Sequence, residues 1–293
     1  MSNQRNVYYY DAQTDTQLGG CIQSGSITNN NFFHMLSHVL LVFEGNITIR
    51  SRTTGQLMPL NNNPLAIGDY NISSSSGAGV RSSDERFLRR VQSRERGTPR
   101  QDSFRRAIRA RDQKCVITGI QNSAAARDVW AGFEAAHIFP LERRSLWEQC
   151  NFDQFITVSA RHPMNSVQNG LLLSSNMHQL FDSYVVSVNP DDGYKITDFG
   201  GDVFSVDGRV LDPICRDPNN PGHVADELLR WHFRQAVLGN MKGAGEPVFE
   251  HDFPPGSDMI GEIMEAPFAA EHMELELFSR LRTGTSESDD SVY

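Results

Sequence analysis

Several things are scarce in this 293-residue chain, and each scarcity excludes something. Its four cysteines, Cys21, Cys115, Cys150 and Cys215, are scattered, and no two stand in C-x-x-C spacing. That excludes a disulfide-dense scaffold and a zinc knuckle, and leaves four reduced, mostly buried thiols as the expectation. No run of about 18 apolar residues occurs, so no membrane-spanning helix is expected. The polar start, Met1-Ser2-Asn3-Gln4-Arg5-Asn6, is not that of a secretory leader, and an intracellular protein is expected. A net basic charge is also missing: the balance is −9, which by itself argues against a phosphate-binding protein.

The distribution of charge says more than its sum. Residues 81–114 hold 12 lysines and arginines against five acids, and residues 246–293 hold 12 acids against two arginines. The two runs read either as solvated surfaces or as a phosphate-tracking segment followed by an acidic end that competes with nucleic acid.

Apolar spacing divides the chain. Residues 1–72 read as a small α+β unit. Strands are expected at Val7–Tyr10, Ile47–Arg50 and Asp69–Ile72, with a helix capped by Thr28 and running through Phe32, Leu36, Leu40 and Phe43. His34 and His38 lie four apart on that helix, without the neighbouring glutamate of a metalloprotease helix, and read as surface residues. Residues 73–100 read as a linker, opening with Ser73-Ser74-Ser75-Ser76-Gly77-Ala78-Gly79, and a basic segment. Helices are expected at Asp84–Val91, Asp102–Asp112, 224–242, Met259–Ile263 and Ala269–Leu281. Residues 101–282 are expected to form the second, larger domain, and 283–293 a disordered acidic tail. His223, His232, His251 and His272 read as structural.

Residues 134–182 carry the chemistry. Phe133-Glu134-Ala135-Ala136-His137-Ile138-Phe139-Pro140 reads as a strand stopped by proline, with His137 projecting from it. A neutral imidazole is suited to taking a proton from water. Asn165-Ser166-Val167-Gln168-Asn169-Gly170 reads as leading into a tight turn at Asn169-Gly170, where an amide can hold its neighbours, and Leu171-Leu172-Leu173 as a buried strand. Ser174 or Ser175 can cap a helix on which His178 and Asp182 lie four apart, on one face. An imidazole and a carboxylate one turn apart make half a shell for a divalent ion.

Strand, turn, strand and helix, with His, Asn and His in that order, resemble the HNH (ββα-metal) nuclease family. The resemblance rests on Lys114-Cys115-Val116-Ile117-Thr118-Gly119, Ala135-Ala136-His137-Ile138, Asn169-Gly170-Leu171-Leu172-Leu173 and His178 through Phe181-Asp182. The wider layout, including Asn189 to Ile196 and Leu229 to Val237, is similar to fungal members. The resemblance implies an α+β fold, with a ββα-metal core embedded in a larger mixed domain behind the small N-terminal one. It implies an endonuclease in which His137 is the general base, Asn169 orients it and His178 ligates one divalent ion (Mg, Mn, Ni or Zn), with Asp182 at a further ligand position. Nucleic acid, DNA first, would be the partner, and the products would carry 5′-phosphate and 3′-hydroxyl ends.

Two departures stand against the pattern. Many members place a metal ligand just before the base, where this chain has Ala136; Glu134, two residues earlier on the same strand face, is a candidate ligand or a support for the loop. His137 and Asn169 are also 32 residues apart, and the insert Leu141–Met164, with Arg143, Arg144, Trp147, Arg161 and His162, is either a substrate-contacting loop or a packed excursion. Arg105, Arg106, Arg109, Arg143 and Arg144 are candidate phosphate contacts. Two alternatives stay open: a nucleic-acid-binding or regulatory module that cuts poorly, and a repurposed small-molecule enzyme. No recognition helix or finger that would read a base sequence is evident.

Overall fold

Alternating apolar residues build the first sheet. β1 (Val7–Asp11), β2 (Gln17–Cys21), β4 (Ile47–Ser51) and β5 (Gly68–Ser74) are arranged in the order β2-β1-β5-β4, with β1 and β5 parallel and the other pairs antiparallel. The computed structural model describes residues 5–88, 90, 99–158, 160 and 162–243. The helices expected at Met259–Ile263 and Ala269–Leu281, the acidic tail, Arg161, His251 and His272 lie outside them. Thr28 caps α1 (Asn29–Met35) by accepting from the Asn31 N–H at 3.2 Å, and the helix continues as a π turn, Leu36–Leu40. Phe32, Leu36 and Leu40 are buried against the sheet; His34 and His38 are exposed, with ring centroids 5.1 Å apart.

The serine run is not a free linker. β5 extends through Ser74, pairing Ser73 and Ser74 with Thr48 and Ile47. Two short strands, β3 (Leu41–Val42) and β6 (Arg81–Ser82), pair beyond it. Glycine and serine composition suggested flexibility, but cross-strand bonds outweigh that local preference. Asp84 to Leu88 form no helix either; the Leu88 N–H instead donates to the Gln235 side chain at 2.7 Å.

The second half is built around β7 (Phe133–His137) and β8 (Gly170–Ser174), paired antiparallel from Phe133 opposite Ser174 to His137 opposite Gly170. α4 (Ser175–Asp182) follows β8 without a break, completing strand, strand and helix. α2 (Pro99–Asp112) packs Phe104 and Ile108 onto Leu172. Its C-terminus is tied down by Arg111, which donates to the carbonyls of Val167, Gly170 and Gly222 at 2.7–2.8 Å. The Asp112 carboxylate accepts the Leu172 N–H at 2.8 Å. The described part of the insert packs on the core: α3 (Arg144–Gln149) buries Trp147 against Phe139 and Phe152. A hairpin of β9 (Val186–Asn189) and β10 (Lys195–Asp198), a short α5 (Pro213–Arg216) and the long α6 (Asp226–Met241) complete the described fold.

α6 joins the halves. Leu228 and Leu229 lie in the core of the strand–strand–helix unit, whereas Ala236, Val237 and Met241 lie in the core of the N-terminal sheet. The Tyr9 hydroxyl donates to the Met241 carbonyl at 2.7 Å. Among the described residues no helix is long and apolar enough to cross a membrane.

Candidate active site

His137 ends β7, and three groups fix its position. Asn169, wholly buried, works through the backbone: its carbonyl accepts from Ile138 N–H at 3.0 Å and its side-chain oxygen from Phe139 N–H at 2.8 Å. Its amide donates to the carbonyls of Phe139 and Met164 at 3.1 and 2.8 Å. The imidazole itself meets a different asparagine: Nε2 lies 3.3 Å from Asn165 Oδ1. The Phe104 ring then stacks flat on the imidazole, with centroids 3.9 Å apart and planes 7° off parallel.

Gly170 makes that stack possible. Its φ is −154°, ordinary extended backbone, so the tight turn expected from Asn169-Gly170 is absent; Val167–Asn169 form one turn of 3₁₀ helix leading straight into β8. The glycine is needed for closeness instead. A Cβ there would lie 2.4 Å from Phe104 Cζ and 2.8 Å from Ile108 Cδ1.

Beside the base lies a chain of charges. His178 sits between two carboxylates, Nδ1 2.6 Å from Glu134 Oε2 and Nε2 3.2 Å from Asp182 Oδ2. Glu134 also accepts from the Ser175 hydroxyl at 2.9 Å. The other Asp182 oxygen accepts from Arg90 at 2.7 Å. Arg90, its side chain only 6% exposed, also donates to the His137 carbonyl at 2.7 Å and to the Ile138 carbonyl. Its guanidinium lies over the rings of Phe181 and Tyr184. A single cation therefore ties the end of β7 to the end of α4.

These surroundings set the proton affinities. Burial pushes the His137 imidazole down to about 4; Asn165 opposes this and the Arg90 charge adds to it. Burial also acts to lower His178, but Asp182 and Glu134 outweigh it, and the imidazole is raised above its ordinary value. Burial acts to raise Asp182, yet His178 and Arg90 hold it below the usual carboxylate range. Glu134 is likewise held low, by His178 and Ser175 against burial.

An imidazole and two carboxylates are the right donors for a divalent ion. Among the described residues, however, no three His, Cys, Asp or Glu side chains are grouped so as to hold one, because each ring nitrogen of His178 faces its own carboxylate. Ala136 is wholly buried. The donor chemistry fits a metal: His178 Nε2 and Asp182 Oδ2, 3.2 Å apart, are one pair that could share an ion, and Glu134 lies on the other side of the ring.

The candidate arginines separate. Arg105 pairs with Asp102 at 3.1 Å and Arg144 with Glu148 at 2.9 Å; Arg106 donates to the Asp102 carbonyl at 3.3 Å. Arg143 ends the 3₁₀ turn Leu141–Arg143. Arg109 lies over the Trp130 ring, 5.0 Å from its centroid.

Reasoning from sequence missed Arg90, Phe104 as a partner of His137, and Asn165 as the ring's neighbour. Arg90 is one arginine in an arginine-rich run, with nothing local to single it out. Asn165 opens the stretch that ends in Asn169-Gly170, four residues before Asn169 and with the same side chain.

A strand, the turn that leads into its partner strand, and a helix thus carry His137, Asn169 and His178 in that order. Residues 115–189 match the HNH endonuclease family, so the chain carries an HNH-family domain, which points to action on nucleic acid. Residues 4–78 match a family described only as a domain of unknown function. No curated protein and no solved structure matches the chain.

Proposed function

We propose that the protein is a metal-assisted endonuclease that hydrolyses phosphodiester bonds of DNA, with His137 as general base. The observation that carries this reading is the held imidazole of His137, clamped by Phe104 and Asn165 at the end of β7 and within the segment that matches the family. With Asn165 Oδ1 accepting, Nε2 carries the ring proton and Nδ1 keeps the lone pair that takes a proton from water. The low proton affinity keeps the ring neutral near pH 7. So weak a base gains strength when a phosphate anion arrives, since a nearby negative charge favours the protonated form.

Asn169 holds the backbone that carries the base. His178, with Asp182 or Glu134 beside it, would hold the divalent ion. When bound, that ion supplies positive charge for the phosphate and the leaving oxygen. Arg90 keeps Asp182 ionised and fixes its distance from the His137 backbone.

Plasmid cleavage after chelation, with Mg²⁺, Mn²⁺, Ni²⁺ or Zn²⁺ added back, tests the reading. Cleavage that needs metal and disappears in His137→Ala supports it; folded protein that cuts with none of them refutes it. The closed Glu134–His178–Asp182–Arg90 chain favours one second reading, a nucleic-acid-binding module that keeps the fold and does not cut. Binding without cleavage would select it.

A further inference from the structure

Several cations of the basic segment are paired with carboxylates. Arg90 is bound to Asp182, Arg105 to Asp102, Arg111 to Asp112 and Lys114 to Asp212. Arg109 is different. It has no carboxylate partner among the described residues, its Nε is buried without a hydrogen-bond partner, and its guanidinium rests on an indole. That indole is itself fixed: Trp130 Nε1 donates to Asp128 Oδ1 at 2.6 Å, and Trp130 packs against the cluster of Phe104, Ile108 and Leu172. Trp130 is half-buried, unlike the wholly buried Trp147. Phe104 of the same cluster stacks on His137.

We infer that Arg109 on Trp130 is a phosphate-binding site for the nucleic-acid strand, set beside the base by α2. The inference rests on the nuclease reading and deepens it. A guanidinium stacked on an aromatic face loses little freedom on binding, and its terminal Nη groups remain to meet phosphate oxygens. Five residues of helix separate Phe104 from Arg109, a rise of about 7.5 Å. Trp130 packs in the same cluster as Phe104, so the contact lies on the side of α2 near the base, and a phosphate contact carries no base specificity.

The test is binding of a fluorescently labelled duplex by the full chain in EDTA, where cleavage is suppressed, followed by anisotropy over a series of salt concentrations. Arg109→Gln is expected to weaken binding about fivefold at ~0.1 M salt and to lower the salt slope by about 0.9, the amount for one phosphate. Arg109→Lys should retain the slope, and unfolding midpoints check that both variants fold. Emission from Trp130 should fall on binding, and Trp130→Phe should remove that change. Wild-type binding with an unchanged Arg109→Gln slope would overturn the inference and leave the nuclease reading intact. Failure of the wild type to bind duplex or single strand even at low salt would overturn the nuclease reading, and the site with it.

Discussion

Replacing Arg90 by methionine isolates the contribution of one buried cation. The substitution keeps an apolar stem of similar length against Phe181 and Tyr184 but removes the hydrogen bonds to Asp182 and to the His137 and Ile138 carbonyls. Asp182, 21% exposed, keeps His178 as a partner, so the carboxylate is not wholly abandoned. Breaking a buried pair costs about 3–5 kcal/mol, and the partial exposure of Asp182 places the loss near the lower figure. For a folded region of roughly 200 residues, about 3 kcal/mol lowers the melting temperature by roughly 6–12 °C. Urea unfolding of Arg90→Met, Asp182→Asn and the double variant measures it. The double variant should be more stable than the sum of the singles by about 1–3 kcal/mol, because removing the carboxylate's charge relieves what the first substitution left behind. A loss in Arg90→Met below about 1 kcal/mol, or strict additivity, would refute the idea that this cation ties β7 to α4.

Four further outcomes follow from the same geometry. Gly170→Ala should push Phe104 off the imidazole, costing about 1–3 kcal/mol in unfolding experiments and slowing cleavage. Asn169→Ala should lose about 3 kcal/mol or more, since three buried side-chain hydrogen bonds vanish. Asn165→Ala should stay within about 1 kcal/mol of wild type yet cut about tenfold more slowly. In metal-free protein, pH acts on the two histidines in opposite senses. His137 is depressed from 6.5 to about 4, so stability should fall as pH drops through that window, by about 3 kcal/mol at most. His178 is raised above 6.5, so its contribution is complete below 6.5 and is lost as pH rises through the raised value. The pair puts greatest stability near pH 6.5, and His137→Gln should flatten the acid side of a urea-midpoint profile.

Periodic elements were legible in the sequence. The strands at Val7, Ile47 and Asp69, the helices at Asp102–Asp112 and 224–242, and the strand–strand–helix around His137 and His178 all stand where apolar spacing places them. What failed was local composition read alone. The serines at 73 and 74 are strand residues, and Gly170 is a glycine for the sake of Phe104, a residue 66 positions away that no local pattern reveals. Arg90 could not be told from its neighbours, because an arginine's partner is decided by which carbonyls and carboxylates the tertiary fold brings to it. Asn165 and Asn169 offered the same chemistry; only the path of the chain decides that one faces the ring and the other the backbone.

The helix α6 limits how the molecule can be dissected. Its first turns sit in one core and its last turns in another, so a cut between the two family-matched segments would not release two finished pieces. A fragment beginning at α2 would expose Ala236, Val237 and Met241 to water, and the Met241 carbonyl would lose the Tyr9 hydroxyl. The sheet left behind would lack the α6 residues that share its core. Any insertion, deletion or fusion that shifts α6 along its axis is therefore felt at both ends, and the N-terminal segment travels with the nuclease-type core as part of what holds it upright.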